Sequence, residues 1–117
     1  MNKSCNNRLL IYSSTGITGA VTGSRVTIPH NIEEWYVKLT ATETSAGSIT
    51  PTLFGNETDS TTNPMTIEAF GAITATGVTR QVYSAADSAL LPGYLYLDLA
   101  TVSGTFDITL ELFYSRA

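Results

Sequence analysis

The chain has 117 residues, a formal net charge of −4 and a single cysteine; 43% of its residues are hydrophobic and only 14% charged. That length holds one domain, the apolar content argues against disorder, and the acidic balance argues against a nucleic-acid partner, which needs a basic field against phosphate. One cysteine excludes an internal disulfide, and one histidine excludes a Cys/His zinc site.

In chain order, residues 1–7 are polar and read as an N-terminal arm, with the remaining residues, 8–117, as one β domain. The apolar patch Leu9-Leu10-Ile11 is too brief for the core of a signal peptide, and no apolar run approaches membrane-spanning length, so no membrane partner is expected. Arg8 to Ser14 reads as a strand. Gly16, Gly19 and Gly23 follow at intervals that predict a loop or a bulged edge, because glycine weakens a regular strand. Arg25 to Ile28 is a short strand stopped by Pro29.

Trp35 to Thr42 alternates cleanly, with Trp35, Val37, Leu39 and Ala41 on one side and Tyr36, Lys38, Thr40 and Thr42 on the other. The first set is the expected core face. Ser45-Ala46-Gly47-Ser48 reads as a turn and Ile49 to Gly55 as the next strand. Asn56 to Pro64 is the most polar stretch and predicts a surface loop. Met65 to Phe70 and Val78 to Tyr83 are strands, and Ser84 to Gly93 is a loop with room for one helical turn at residues 85–89.

Tyr94 to Tyr114 reads as one long hairpin with Ser103-Gly104 at its turn, since this pair supplies the positive φ of a two-residue connection. In that register Leu99 faces Ile108, Leu97 faces Leu110 and Leu95 faces Leu112. The other side of the hairpin carries Tyr94, Tyr96 and Phe113. The whole is about eight short strands at even spacing, the signature of an all-β, single antiparallel sandwich of jelly-roll type.

Chemistry-bearing residues are sparse. His30 sits beside a proline with no evident partner, and Cys5 lies in a polar tail that nothing in the sequence fixes. The acidic residues are scattered, and Asn56-Glu57-Thr58-Asp59-Ser60 offers oxygen ligands without the spacing of a calcium loop. No catalytic residue, cofactor or metal is therefore expected. The better functional handle is the aromatic set Tyr94, Tyr96 and Phe113, which supplies apolar area with polar tips.

Several phrases carry a resemblance: the strand Trp35-Tyr36-Val37-Lys38-Leu39-Thr40-Ala41, then Thr50-Pro51-Thr52-Leu53-Phe54-Gly55, Ala72-Ile73-Thr74-Ala75-Thr76-Gly77, and Leu91-Pro92-Gly93-Tyr94-Leu95-Tyr96-Leu97 with Ser103-Gly104-Thr105. Together, over residues 35–114, they resemble the β-sandwich decoration (cement) and minor structural proteins of tailed phages. The resemblance implies a non-enzymatic virion component on the capsid surface, bound to the major capsid protein and to copies of itself as a dimer or trimer. It transfers no site residues. From the sequence, the expected contacts are the arm with Arg8, the glycine-rich edge at Gly16, Gly19 and Gly23, and the face of Tyr94, Tyr96 and Phe113. A tail or fibre component and a carbohydrate-binding module are the alternatives, the latter stacking sugars on Tyr94 and Tyr96.

Overall fold

The structure is a computed structural model that describes residues 5–74, 77–84 and 91–116, and at 80–84 the backbone alone. Among the described residues it contains seven strands: β1 (Asn7–Ile17), β2 (Val21–Thr22), β3 (Val26–Thr27), β4 (Ile32–Asn56), β5 (Met65–Ala69), β6 (Gly77–Ser84) and β7 (Tyr94–Arg116). All pairings are antiparallel.

Two of these strands are far longer than the sequence predicts. β4 has 25 residues and β7 has 23, and they pair along their whole length, from Ile32 opposite Arg116 to Asn56 opposite Tyr94. A straight strand of that length would reach roughly 80 Å, yet the Cα atoms span only 43 × 30 × 20 Å. The two-stranded ribbon is therefore folded over on itself. The bend lies where the register slips repeatedly, between Glu43 and Thr50 on β4. On β7 it falls at Thr101 and Gly104, which have φ of 51° and 75°.

Folding the ribbon makes two four-stranded layers. One runs β1, β7 (residues 105–116), β4 (32–43), β6; the other runs β2 with β3, β7 (94–100), β4 (50–56), β5. This is the strand order of an eight-stranded jelly roll, and the expected sandwich is the fold observed. One hydrophobic cluster fills the space between the layers. It takes Trp35, Val37, Leu39, Ala41, Phe106, Ile108, Leu110 and Leu112 from the first and Leu53, Leu95, Leu97 and Leu99 from the second. On β7 the inward positions switch from odd numbers (95, 97, 99) to even ones (106 to 114) across the bend.

That switch corrects the predicted hairpin. Leu99 pairs with Val21 and Pro51, and Ile108 pairs with Ser14 and Ala41; they do not face each other across a turn. A glycine at positive φ between two runs of opposite parity is common to a hairpin turn and to a bulge where a strand changes sheet. The chain uses the second. Likewise, the predicted turn at Ser45–Ser48 is the bend of β4, and Gly47 there meets Ser103 and Gly104 of β7. A Cβ on Gly47 would clash with the carbonyl oxygen of Ser103, and one on Gly104 with that of Ala46. Both positions are glycine because two backbones cross there.

The remaining expectations fall into place around this ribbon. Asn7, assigned to the arm, is the first residue of β1 and donates from Nδ2 to the Tyr114 carbonyl at 3.4 Å. Cys5 is half-buried with its thiol 3.7 Å from the Glu34 carbonyl, so it is anchored, although nothing in the sequence points to that partner. The polar loop after β4 is held by Asn56, whose Nδ2 donates to the carbonyls of Ser60 (3.0 Å) and Thr62 (2.9 Å). The helical turn expected at residues 85–89 lies outside the described residues.

Candidate functional site: two outer sheet faces

Each layer of the sandwich has one face on the core and one turned outward, and strand alternation decides which side chains stand on the latter. On the β1–β7–β4–β6 layer the outer positions are Arg8, Leu10 and Ser13 of β1, Asp107, Thr109, Glu111 and Phe113 of β7, and Tyr36, Lys38, Thr40 and Thr42 of β4. Register places Phe113 opposite Tyr36, and their rings stack with centroids 4.8 Å apart and planes 11° from parallel. One residue pair along, Lys38 lies opposite Glu111, which accepts an ion pair from Arg8 Nη1 at 2.9 Å. Beyond that, Thr40 lies opposite Thr109, whose hydroxyl is 3.3 Å from that of Ser13. Among the described residues three large apolar side chains are well exposed. Two of them, Leu10 (50%) and Val78 (60%), sit on the flanking strands of this layer.

The opposite layer is different in chemistry. Its outer positions are Thr22, Thr27, Thr50, Thr52, Phe54, Tyr94, Tyr96 and Asp98. Phe54 and Tyr96 pack with centroids 5.6 Å apart at 35°, and Thr22 Oγ1 donates to Asp98 Oδ1 at 3.1 Å. Tyr96 is only 3% exposed. Burial and the nearby Asp98 carboxylate hold its phenol above the ordinary range, against a smaller lowering by the Arg25 guanidinium. Arg25 itself is tied to Asp59 of the polar loop, Nε to Oδ1, at 2.6 Å.

These positions revise the predicted aromatic face. Tyr94 and Tyr96 stand on one layer and Phe113 on the other, on opposite sides of the sandwich, because the hairpin that brought them together does not form. Tyr96 is buried and offers no ring for stacking on a sugar; Tyr94 is half-buried. Among the glycines, Gly16 is exposed and donates its N–H to Asp107 Oδ1 at 2.9 Å, and Gly19 is exposed with open space around it. Gly23 is buried and its N–H is bound to the Leu97 carbonyl at 2.7 Å, so its backbone is spent inside the sheet. The partners that sequence reasoning missed are Tyr36 for Phe113 and Phe54 for Tyr96. The register of β4 against β7 alone reveals them.

One cavity, of about 430 Å³, opens where the β3–β4 connection, the polar loop and the approach to β7 meet. Ile28, Ile32 and Leu91 line it with His30, Asn31 and Glu57. The structure thus brings His30 and an acidic residue to one cavity, although both are solvent-exposed. Among the described residues, no three His, Cys, Asp or Glu side chains are placed to hold a metal ion, and no helix is long and apolar enough to cross a membrane.

The fold and faces define a jelly-roll β-sandwich. No family model matches the chain, and no curated protein does. Among solved structures, a chain in the structure of infectious bursal disease virus, Gx strain, aligns with a TM-score of 0.48 at 15% identity, covering 91% of this chain and 30% of that one. The present chain thus spans less than a third of that neighbour's length.

Proposed function

We propose that this chain is a structural protein of a virus particle, and in particular a tailed-phage decoration protein that binds the outside of the major capsid shell and stabilises it. The reading rests on the resemblance in residues 35–114 and, in the structure, on one observation. The outer face of the β1–β7–β4–β6 layer carries a stacked aromatic pair on its two central strands and the exposed Leu10 and Val78 on its two flanking strands. Exposed apolar area of this kind gains free energy when a neighbour removes it from water. The hydroxyl-rich second layer makes hydrogen bonds without the cost of desolvating charge. A protein that binds only the assembled shell stabilises it by mass action, and a contact of about 1,600 Å² in total suffices for specific attachment.

Binding to shells of the same virus that lack this chain tests the proposal. The purified chain is expected to co-sediment saturably with assembled shells, not with unassembled subunits, and to raise the temperature at which they rupture. Binding to tails instead would favour a tail or fibre component; binding to neither would overturn the reading.

The cavity shared by His30 and Glu57 supports a second reading, a small hydrolytic site. Turnover of an ester, glycoside or phosphate substrate that disappears in His30→Ala would favour it over a purely structural role.

A further inference from the structure

We propose that the outer face of the β1–β7–β4–β6 layer is a self-complementary interface on which two copies of the chain stack face to face. The proposal takes up the self-association that the sequence resemblance implies and is independent of shell attachment. The four strands are centred between β7 and β4, and a two-fold axis laid there, parallel to the strands and between the two stacked sheets, superposes the whole layer on its copy. Under that operation, residues opposite each other within one sheet become residues opposite each other across the interface. Tyr36 then meets Phe113 of the second copy, and Thr40 meets Thr109. Lys38 meets Glu111 twice, once in each direction, because the two lie opposite in register. A lysine on one half of the face and a carboxylate on the other are what an isologous contact requires.

The apolar edges agree with the same axis. It lays β1 of one copy over β6 of the other, and Leu10 and Val78, the large apolar residues exposed on those strands among the described residues, come within one residue pair of each other along the strand, roughly 7 Å. Four strands of about eight residues give a face of roughly 19 by 26 Å, or about 500 Å² of flat area, on the order of the ~800 Å² of accessible surface per partner in a specific complex. Sheets stacked in this way cross at a shallow angle, so contacts on the two central strands are best preserved, and these include the Tyr36, Phe113, Lys38, Glu111, Thr40 and Thr109 positions.

Sedimentation velocity on the isolated full chain tests this. The wild type is expected to pass from monomer to dimer over the micromolar range. Lys38→Glu and Glu111→Lys each place like charges across the axis and are expected to weaken the dimer by at least about tenfold. Their equimolar mixture restores opposite charges at both contacts and is expected to form a heterodimer within a few-fold of wild-type affinity. Circular dichroism checks that each variant is folded. Should Glu111→Lys fail to fold, Leu10→Asp and Val78→Asp, at exposed positions, carry the test and are expected to weaken the dimer about tenfold each. A wild type that stays monomeric at high concentration, a dimer indifferent to these substitutions, or two folded charge variants that do not combine would overturn the proposal. Shell binding without dimerisation would count against this interface alone, and dimerisation without shell binding against the decoration role alone.

Discussion

Gly47→Ala separates a bent ribbon from two local hairpins by the sign of its effect. Gly47 has an ordinary backbone conformation, since the glycines at positive φ are Gly16, Gly71 and Gly104. Were residues 45–48 a solvent-facing turn, alanine would restrict the unfolded chain and stabilise the protein by about 0.4–1 kcal/mol. In the folded-over ribbon, the new Cβ is driven into the Ser103 carbonyl oxygen and lies 2.6 Å from the Gly104 nitrogen. These are backbone atoms with no rotamer to change, so β4 and β7 must part locally. The cost belongs at the top of the overpacking range, about 3 kcal/mol, for a net loss of about 2–2.6 kcal/mol. With an unfolding entropy of about 2.1 cal/mol/K per residue over 117 residues, 1 kcal/mol moves the melting temperature by about 4 °C. Calorimetry should therefore show Gly47→Ala melting about 8–10 °C below wild type. Gly19→Ala, in open space, should melt level with it or a few degrees above. A Gly47→Ala protein that melts at or above the wild-type temperature would refute the crossing of β4 and β7 at this level.

Further outcomes follow from individual contacts. In a double-mutant cycle by urea denaturation, Tyr36→Ala and Phe113→Ala should show a coupling of about 0.5–1.5 kcal/mol, the range for stacked rings, whereas Tyr36→Ala with Tyr94→Ala, on opposite layers, should be additive. Burial and the Glu34 carboxylate push the Cys5 thiol up, so the pH profile of its alkylation should have a midpoint above that of a free cysteine, and Glu34→Gln should bring it down. Burial raises the Glu68 carboxyl. The folded state thus holds that proton more tightly, and the associated stability is full below the unfolded pKa and lost as pH rises through the folded one. Glu68→Gln should accordingly melt above wild type at pH 7, with the gap closing as the pH falls below about 4, near the unfolded value.

The strands were legible in the sequence because alternation is local: Trp35, Val37, Leu39 and Ala41 fall on the core face as their spacing dictates. Strand partners were not. Ser103-Gly104 has the chemistry of a hairpin turn, and every leucine from 95 to 112 keeps its inward side whether residues 94–100 fold back on 105–114 or run on past them. Only the second course gives β7 a partner along its full length, and that partner, β4, pairs at sequence separations from 38 residues (Asn56 with Tyr94) to 84 (Ile32 with Arg116), beyond the reach of any turn rule. Turn chemistry fixes backbone dihedrals and leaves the choice of neighbour to the core.

That choice of neighbour also decides what the outside of the molecule presents. With a hairpin, Tyr94, Tyr96 and Phe113 would form one aromatic patch of a single strand pair. With the ribbon, β4 supplies a ring to each layer, Phe54 beside Tyr96 and Tyr36 beside Phe113. The first pair is sealed, since Tyr96 is buried. The second lies in the middle of a four-stranded face with charges of both signs one step along from it. Each ring thus has a cross-strand partner within its own chain, and what distinguishes the layers is the surroundings of the pair: threonines and Asp98 on one side, Arg8, Lys38, Glu111, Leu10 and Val78 on the other. Apolar side chains left half or more in water near charges of both signs favour a partner that is both apolar and of matched sign, and the copy of the face related by the two-fold axis has both properties.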